Sequence, residues 1–150
     1  MRLVIDANVL VSELLHSRGQ ALIAHSELQL SIAAYTWGEA EHELRKRLTG
    51  RFVHNGQGVE RVEFFLFGAM ALVTQRIAVM PEGFYVSHET VARMRIPRDP
   101  DDWHTVALAL TYGPNEAAIW TGDADFLGCG IATWTTDTLL AHLAYVEAEE

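Results

Sequence analysis

The chain has 150 residues, 49% of them apolar and 21% charged, which excludes disordered, collagen-like and low-complexity chains. That length suits one domain over 1–150 with a core that needs no disulfide, and the single cysteine, Cys129, allows no intrachain bridge and disfavours a cysteine-based zinc site. Twenty acids against eleven bases give a net charge of −9, a field that repels polyanions at long range and leaves room only for a local basic rim.

Leu3–Ile5 is a β-rich run that breaks at Asp6-Ala7-Asn8, after which Val9, Leu10, Leu14 and Leu15 recur with helical spacing. Asp6 inside this apolar stretch is incompatible with a signal peptide. Gly19 interrupts the pattern and 21–26 resumes it. LQLSIAAY (28–35) alternates as a strand, and Thr36 leads into a charged amphipathic helix over 37–48. HNGQG (54–58) reads as a loop or helix start, and 59–75 as a strongly apolar helix. Its most apolar window, FFLFGAMALV (64–73), is about half of what a membrane span needs. IAVM (77–80) is a strand stopped by Pro81, and 88–95 a short helix ended by Pro97. IPRDPDD (96–102) is a loop leading into a helix over 102–113. AAIWT (117–121) is a strand, GDADF (122–126) a turn, 131–135 a last short strand and 137–146 a terminal helix. The alternation predicts an α/β fold, a mostly parallel sheet with helices on both faces and ligands beyond the carboxyl ends of the strands. The expected setting is reduced and cytoplasmic, with no membrane partner.

Acidic residues fall where that rule places a site. Asp6 follows the first strand, and Asp123 and Asp125 follow AAIWT. Asp99, Asp101 and Asp102 open the preceding helix, and Glu39, Glu41 and Glu43 lie on the helix after LQLSIAAY. Carboxylates crowded at one sheet edge repel one another unless a cation holds them. Oxygen ligands without supporting cysteine or histidine spacing suit Mg²⁺ or Mn²⁺. Such a cluster is fitted to phosphodiester hydrolysis. Each segment also has a purely structural reading. Asp6 can cap the first helix, and one of Asp99, Asp101 and Asp102 the later one. TGDAD can be an ordinary turn, and Thr36-x-x-Glu39 fits a capping box. The joint placement of the four segments carries the argument.

VIDANVLV (4–11), HELRKRL (42–48), RDPDDWHTVALAL (98–110) and IWTGDADFL (119–127) together resemble the PIN-domain family, in this order. The resemblance implies a three-layer α/β/α sandwich acting as a metal-dependent endoribonuclease that leaves 5′-phosphate and 3′-hydroxyl ends. Many such proteins are VapC-type toxins of toxin–antitoxin pairs, so RNA, an antitoxin protein and a homodimer partner are implied, with Mg²⁺ or Mn²⁺ as cofactor. By the same resemblance Asp6 is the first acid with Asn8 as its neighbour, Asp102 the third, Asp123 the fourth and Asp125 an accessory acid, with Thr121 the nearby hydroxyl. The second acid is Glu43 by its following leucine or Glu39 by its distance from the strand, and both stay open. The metal set is then Asp6, Glu43 or Glu39, Asp102 and Asp123.

Substrate contact needs positive charge. Arg45, Lys46, Arg47 and Arg51 form one basic window, equally readable as a solvated helix face. Arg93, Arg95 and Arg98 form another, and Arg95 and Arg98, directly before the acidic loop, are the expected phosphate contacts. A phosphatase of the haloacid dehalogenase type needs an Asp where Asn8 stands, and a receiver domain needs a late lysine where the chain has none. The remaining alternative is a PIN-fold module that binds RNA or protein with weak or no cleavage.

Overall fold

The structure, a computed structural model, describes residues 1–56 and 58–149. Five strands, β1 (Arg2–Ile5), β2 (Gln29–Ala33), β3 (Ile77–Met80), β4 (Ala118–Trp120) and β5 (Thr133–Trp134), form one sheet in the order β3-β2-β1-β4-β5. Every pairing is parallel. Parallel strands are joined by crossovers that cover the sheet, so both faces are buried and the strands read as apolar runs.

Side chains alternate across the sheet, and two cores result. Leu3, Ile5, Leu30, Ile32 and Trp120 point to one face. There they meet α1 (Ala7–Leu14), α2 (Ser17–Ile23), α3 (Ala34–His54), α4 (Gly58–Arg76) and α8 (Thr136–Glu149). Val4, Ala33 and Ile119 point to the other, against α5 (Glu82–Tyr85), α6 (Glu89–Arg95) and α7 (Trp103–Thr111). The expected three-layer α/β/α architecture is therefore present. α3 buries Ala40, Leu44 and Leu48 and α4 buries Val62, Leu66, Ala69 and Val73, each a stripe at helical spacing. Removing one such leucine, Leu44→Ala, is worth about 2–5 kcal/mol of stability.

Boundaries differ from the sequence reading in physically simple ways. The second strand ends at Ala33, and Ala34 and Tyr35 already belong to α3, because an apolar run carries no mark of where extended backbone turns helical. Thr36 is consequently a buried residue inside α3, and the capping-box reading fails: the residue before the helix is Ala33. α3 runs on to His54, so HNGQG supplies its end, a turn at Asn55-Gly56 and the start of α4; Gln57 lies outside the described residues. The four-residue α5 has no periodic signature and was not expected. No helix among the described residues is long and apolar enough to cross a membrane.

The strand order reverses between β1 and β4, since the chain moves outward to β2 and β3 before returning to the other side of β1. Loops leaving the carboxyl ends of these two neighbours diverge and open a crevice. Asp6 and Thr121 stand there.

Candidate active site

Asp6 occupies the residue before α1, yet its side chain makes no capping bond. Thr121 Oγ1, at the end of β4, donates instead to Asp6 Oδ2 across 3.0 Å. The same hydroxyl accepts the Asp123 backbone N–H at 3.0 Å, and Asp123 Oδ1 accepts the Asp125 N–H at 2.8 Å. Register makes this possible, because Ile5 lies opposite Trp120 and the next residues of both strands meet. The TGDAD turn is thus an ordered turn tied to the first strand. Burial raises the Asp6 carboxyl above its usual range, the Thr121 hydroxyl and Ala7 amide partly offsetting it while the charges of Asp123 and Asp99 add to it.

Asp102 stands immediately before α7 and caps nothing either. Among the described residues its Oδ2 is buried without a hydrogen-bond partner. A buried carboxylate oxygen with no donor is costly unless a proton or a cation meets it. Burial pushes this carboxyl up to about 7, with the charges of Asp99, Asp6, Asp123 and Asp125 adding to the effect. One oxygen each from Asp102, Asp123 and Asp125 gathers within 4.8 Å of the others.

Glu39 and Glu43, one turn apart on α3, have different surroundings. Desolvation and the charges of Asp101, Asp99 and Asp6 raise the Glu39 carboxyl. Glu43 Oε1 accepts from Arg47 Nε at 2.9 Å, and that bond holds its carboxyl below the usual range. Both line a cleft of about 360 Å³ together with Asp6, Asn8, Asp99, Asp101 and Asp102. Asp6 and Asn8 also border a second cleft of about 560 Å³ that reaches Asp123, Gly122 and Thr136. Glu13, not among the residues expected from the sequence, lines that second cleft. It is an acid buried on α1 whose Oε1 accepts the Thr136 hydroxyl at 2.7 Å. The signal was a lone glutamate within the apolar run of α1.

The basic residues divide sharply. Arg98 is 81% exposed at its side chain and places Nη1 2.6 Å from Asp125 Oδ1, at the edge of the carboxylate group. Arg95 turns away: its Nη1 donates to the Cys129 carbonyl at 3.2 Å. Its side chain lines a cavity of about 710 Å³ at the amino ends of β1 and β4, which none of the candidate-site carboxylates borders. Arg93 pairs with Glu89, Arg45 with Glu63, and Arg47 with Glu43. Two of the four bases of the first window, Arg45 and Arg47, are thus held in salt bridges on the helix face.

The carboxylates fit a hard divalent cation. All the donors are oxygens, three gather within ligand reach of one another, and one buried oxygen lacks any other partner among the described residues. A family model described as PIN domain matches residues 4–144, which spans every element of the site. The chain belongs to the PIN-domain family. No curated protein matches it. PIN domains are generally nucleases that use a divalent metal, and the acidic group at the β1–β4 crevice is where this PIN domain can hold one.

Proposed function

We propose that this PIN domain is an Mg²⁺- or Mn²⁺-dependent endoribonuclease whose cation is held by Asp6, Glu39, Asp102 and Asp123. The observation that carries this reading is the buried, partnerless Oδ2 of Asp102 beside two further carboxylates. Glu39 is preferred to Glu43 as the second acid because it shares the field of Asp6, while Glu43 is engaged by Arg47. When bound, the cation supplies Lewis acidity toward the phosphate and makes hydroxide available near neutral pH.

The chain's own residues do the rest. Thr121 orients the Asp6 carboxylate through its 3.0 Å bond. Asp123 orients the turn through the Asp125 amide and brings Asp125 against Arg98. Arg98, an exposed guanidinium 2.6 Å from Asp125, takes the phosphate contact. Asn8, exposed at the start of α1 and bordering both clefts, faces the substrate strand. Arg95, bound to the Cys129 carbonyl, has no part in this contact.

The homodimer and the antitoxin belong to the same proposal, and the surface that favours a partner is on α4. Phe64 and Phe67 stand 81% and 78% exposed there, and paired aromatics so exposed are unusual on a chain that acts alone. The cytoplasmic setting follows from an RNA substrate and a free cysteine.

The test is cleavage of a mixed single-stranded and structured RNA pool with Mn²⁺ or Mg²⁺, comparing wild type with Asp6→Asn and Asp123→Asn. Metal-dependent cleavage lost in both variants supports the reading. Binding of RNA and metal without cleavage by any form favours the binding module instead.

A further inference from the structure

Three aromatic rings form a stack that leads from the core to the start of α3, one turn before Glu39. Trp103 is 3% exposed, and His104, 5% exposed, stacks on it with centroids 3.9 Å apart. Tyr35, 42% exposed, lies parallel to His104 at 4.1 Å with an interplanar angle of 7°. The stack is held from behind: Tyr85 shares a 2.9 Å hydrogen bond with His104 Nδ1 and sets its ring edge against both Trp103 and His104. The Arg93 guanidinium covers Trp103 at 4.9 Å. Tyr35 is thus a ring with one face stacked on His104 and 42% of its surface open to solvent.

Its position gives that exposed ring a meaning. Tyr35 is the second residue of α3, one turn before Glu39, and partial burial, the charges of Glu39, Asp101 and Asp99 and a hydrogen bond to Asp101 act on its hydroxyl. Those three acids wall the cleft that contains Asp6 and Asp102. An anionic ligand is repelled by such a rim. A flat, neutral π-system is not, and it gains stacking against a ring that loses little freedom on binding. In a nucleic acid that group is the base, and a base offers its face only where it is not stacked within a duplex.

We propose that Tyr35 is a stacking platform for one unpaired nucleobase, which seats a single-stranded stretch of substrate beside the carboxylates. The inference rests on the nuclease reading for the identity of the strand, and on the three-ring stack for the contact. Tyr35 positions the strand and takes no part in bond cleavage.

The experiment uses single-stranded RNA 12-mers carrying one 2-aminopurine at successive positions, with Ca²⁺ replacing Mg²⁺ during binding. Wild type, Tyr35→Phe, Tyr35→Leu and Tyr35→Ala are compared, with circular dichroism reporting folding. Wild type and Tyr35→Phe are expected to quench 2-aminopurine at one position. Tyr35→Leu, which keeps an apolar contact with His104, and Tyr35→Ala are expected to lose the quench and bind roughly tenfold or more weakly. In cleavage the loss appears in KM, with kcat little changed. Equal quenching and affinity in Tyr35→Leu and wild type overturn the proposal, as does failure of wild type to bind the 12-mers. Tyr35-dependent quenching without cleavage in Mn²⁺ overturns the nuclease reading and leaves the platform standing. Cleavage with a KM unmoved in Tyr35→Leu does the reverse.

Discussion

Thr121 and Asp6, 115 residues apart in the chain, are joined by a 3.0 Å hydrogen bond from Oγ1 to Oδ2. The bond links the carboxyl ends of the two central strands at the point where strand order reverses, and the same hydroxyl receives the Asp123 amide. One side chain therefore sets the positions of two of the four proposed metal ligands.

Thr121→Val keeps the β-branched shape and removes both bonds. It is expected to lose about 1–3 kcal/mol in urea unfolding, because a buried carboxylate and amide lose their partner. Metal affinity or cleavage is expected to fall roughly 10–100-fold, the usual cost of removing the group that orients a ligand. Thr121→Ser should retain most of both.

The metal-free protein should become less stable as pH rises. The Asp102 carboxyl is raised to about 7 in the folded state, and Asp6 and Glu39 move in the same direction. Between the ordinary carboxylate range and about 7 the folded state holds the extra protons, so ionisation is easier in the unfolded chain and stability declines across that window. Thermal melts in chelator from pH 4.5 to 8 should show a falling Tm, with a flatter slope in Asp102→Asn. Added Mn²⁺ should reverse the decline, with affinity rising toward pH 7 as protons are displaced.

Glu39→Gln is expected to lose nearly all cleavage, and Glu43→Gln to retain most of it. Glu43 is held by Arg47, whereas Glu39 faces Asp6, Asp99 and Asp101. Single-turnover rates in saturating Mn²⁺ separate the two; the opposite order would return Glu43 to the ligand set.

Arg98→Ala should leave stability within about 1 kcal/mol, since its pair with Asp125 is solvent-exposed on the arginine side. RNA binding should weaken, and the slope of log affinity against log salt should fall by about one. Arg95→Ala, by contrast, should leave that slope unchanged.

Much of the site was legible because a parallel sheet sends every strand's carboxyl end to one edge, so Asp6, Asp102 and Asp123 converge once the strands and their order of helices are recognised. All five strands were visible as apolar runs. The choice between Glu39 and Glu43 was not, because residues four apart share a helix stripe and differ only in distance from the strand. Distance favours Glu39, but the apolar run at the end of β2 does not mark where α3 begins, so the sequence leaves that distance loosely defined. The same unmarked boundary hides Tyr35, which as the end of a strand has no reason to stack on His104. The outward turn of Arg95 depends on the Cys129 carbonyl, 34 residues away, and no local pattern encodes it.

The central claim is that the carboxylates around Asp102 Oδ2 form a divalent-cation site. The direct measurement is Mn²⁺ binding to the whole chain by electron paramagnetic resonance at pH 7.5, in wild type and Asp102→Asn. The account predicts stoichiometric binding by wild type that Asp102→Asn loses while remaining folded. Wild type that binds no Mn²⁺, or Asp102→Asn that binds it equally well, would contradict it.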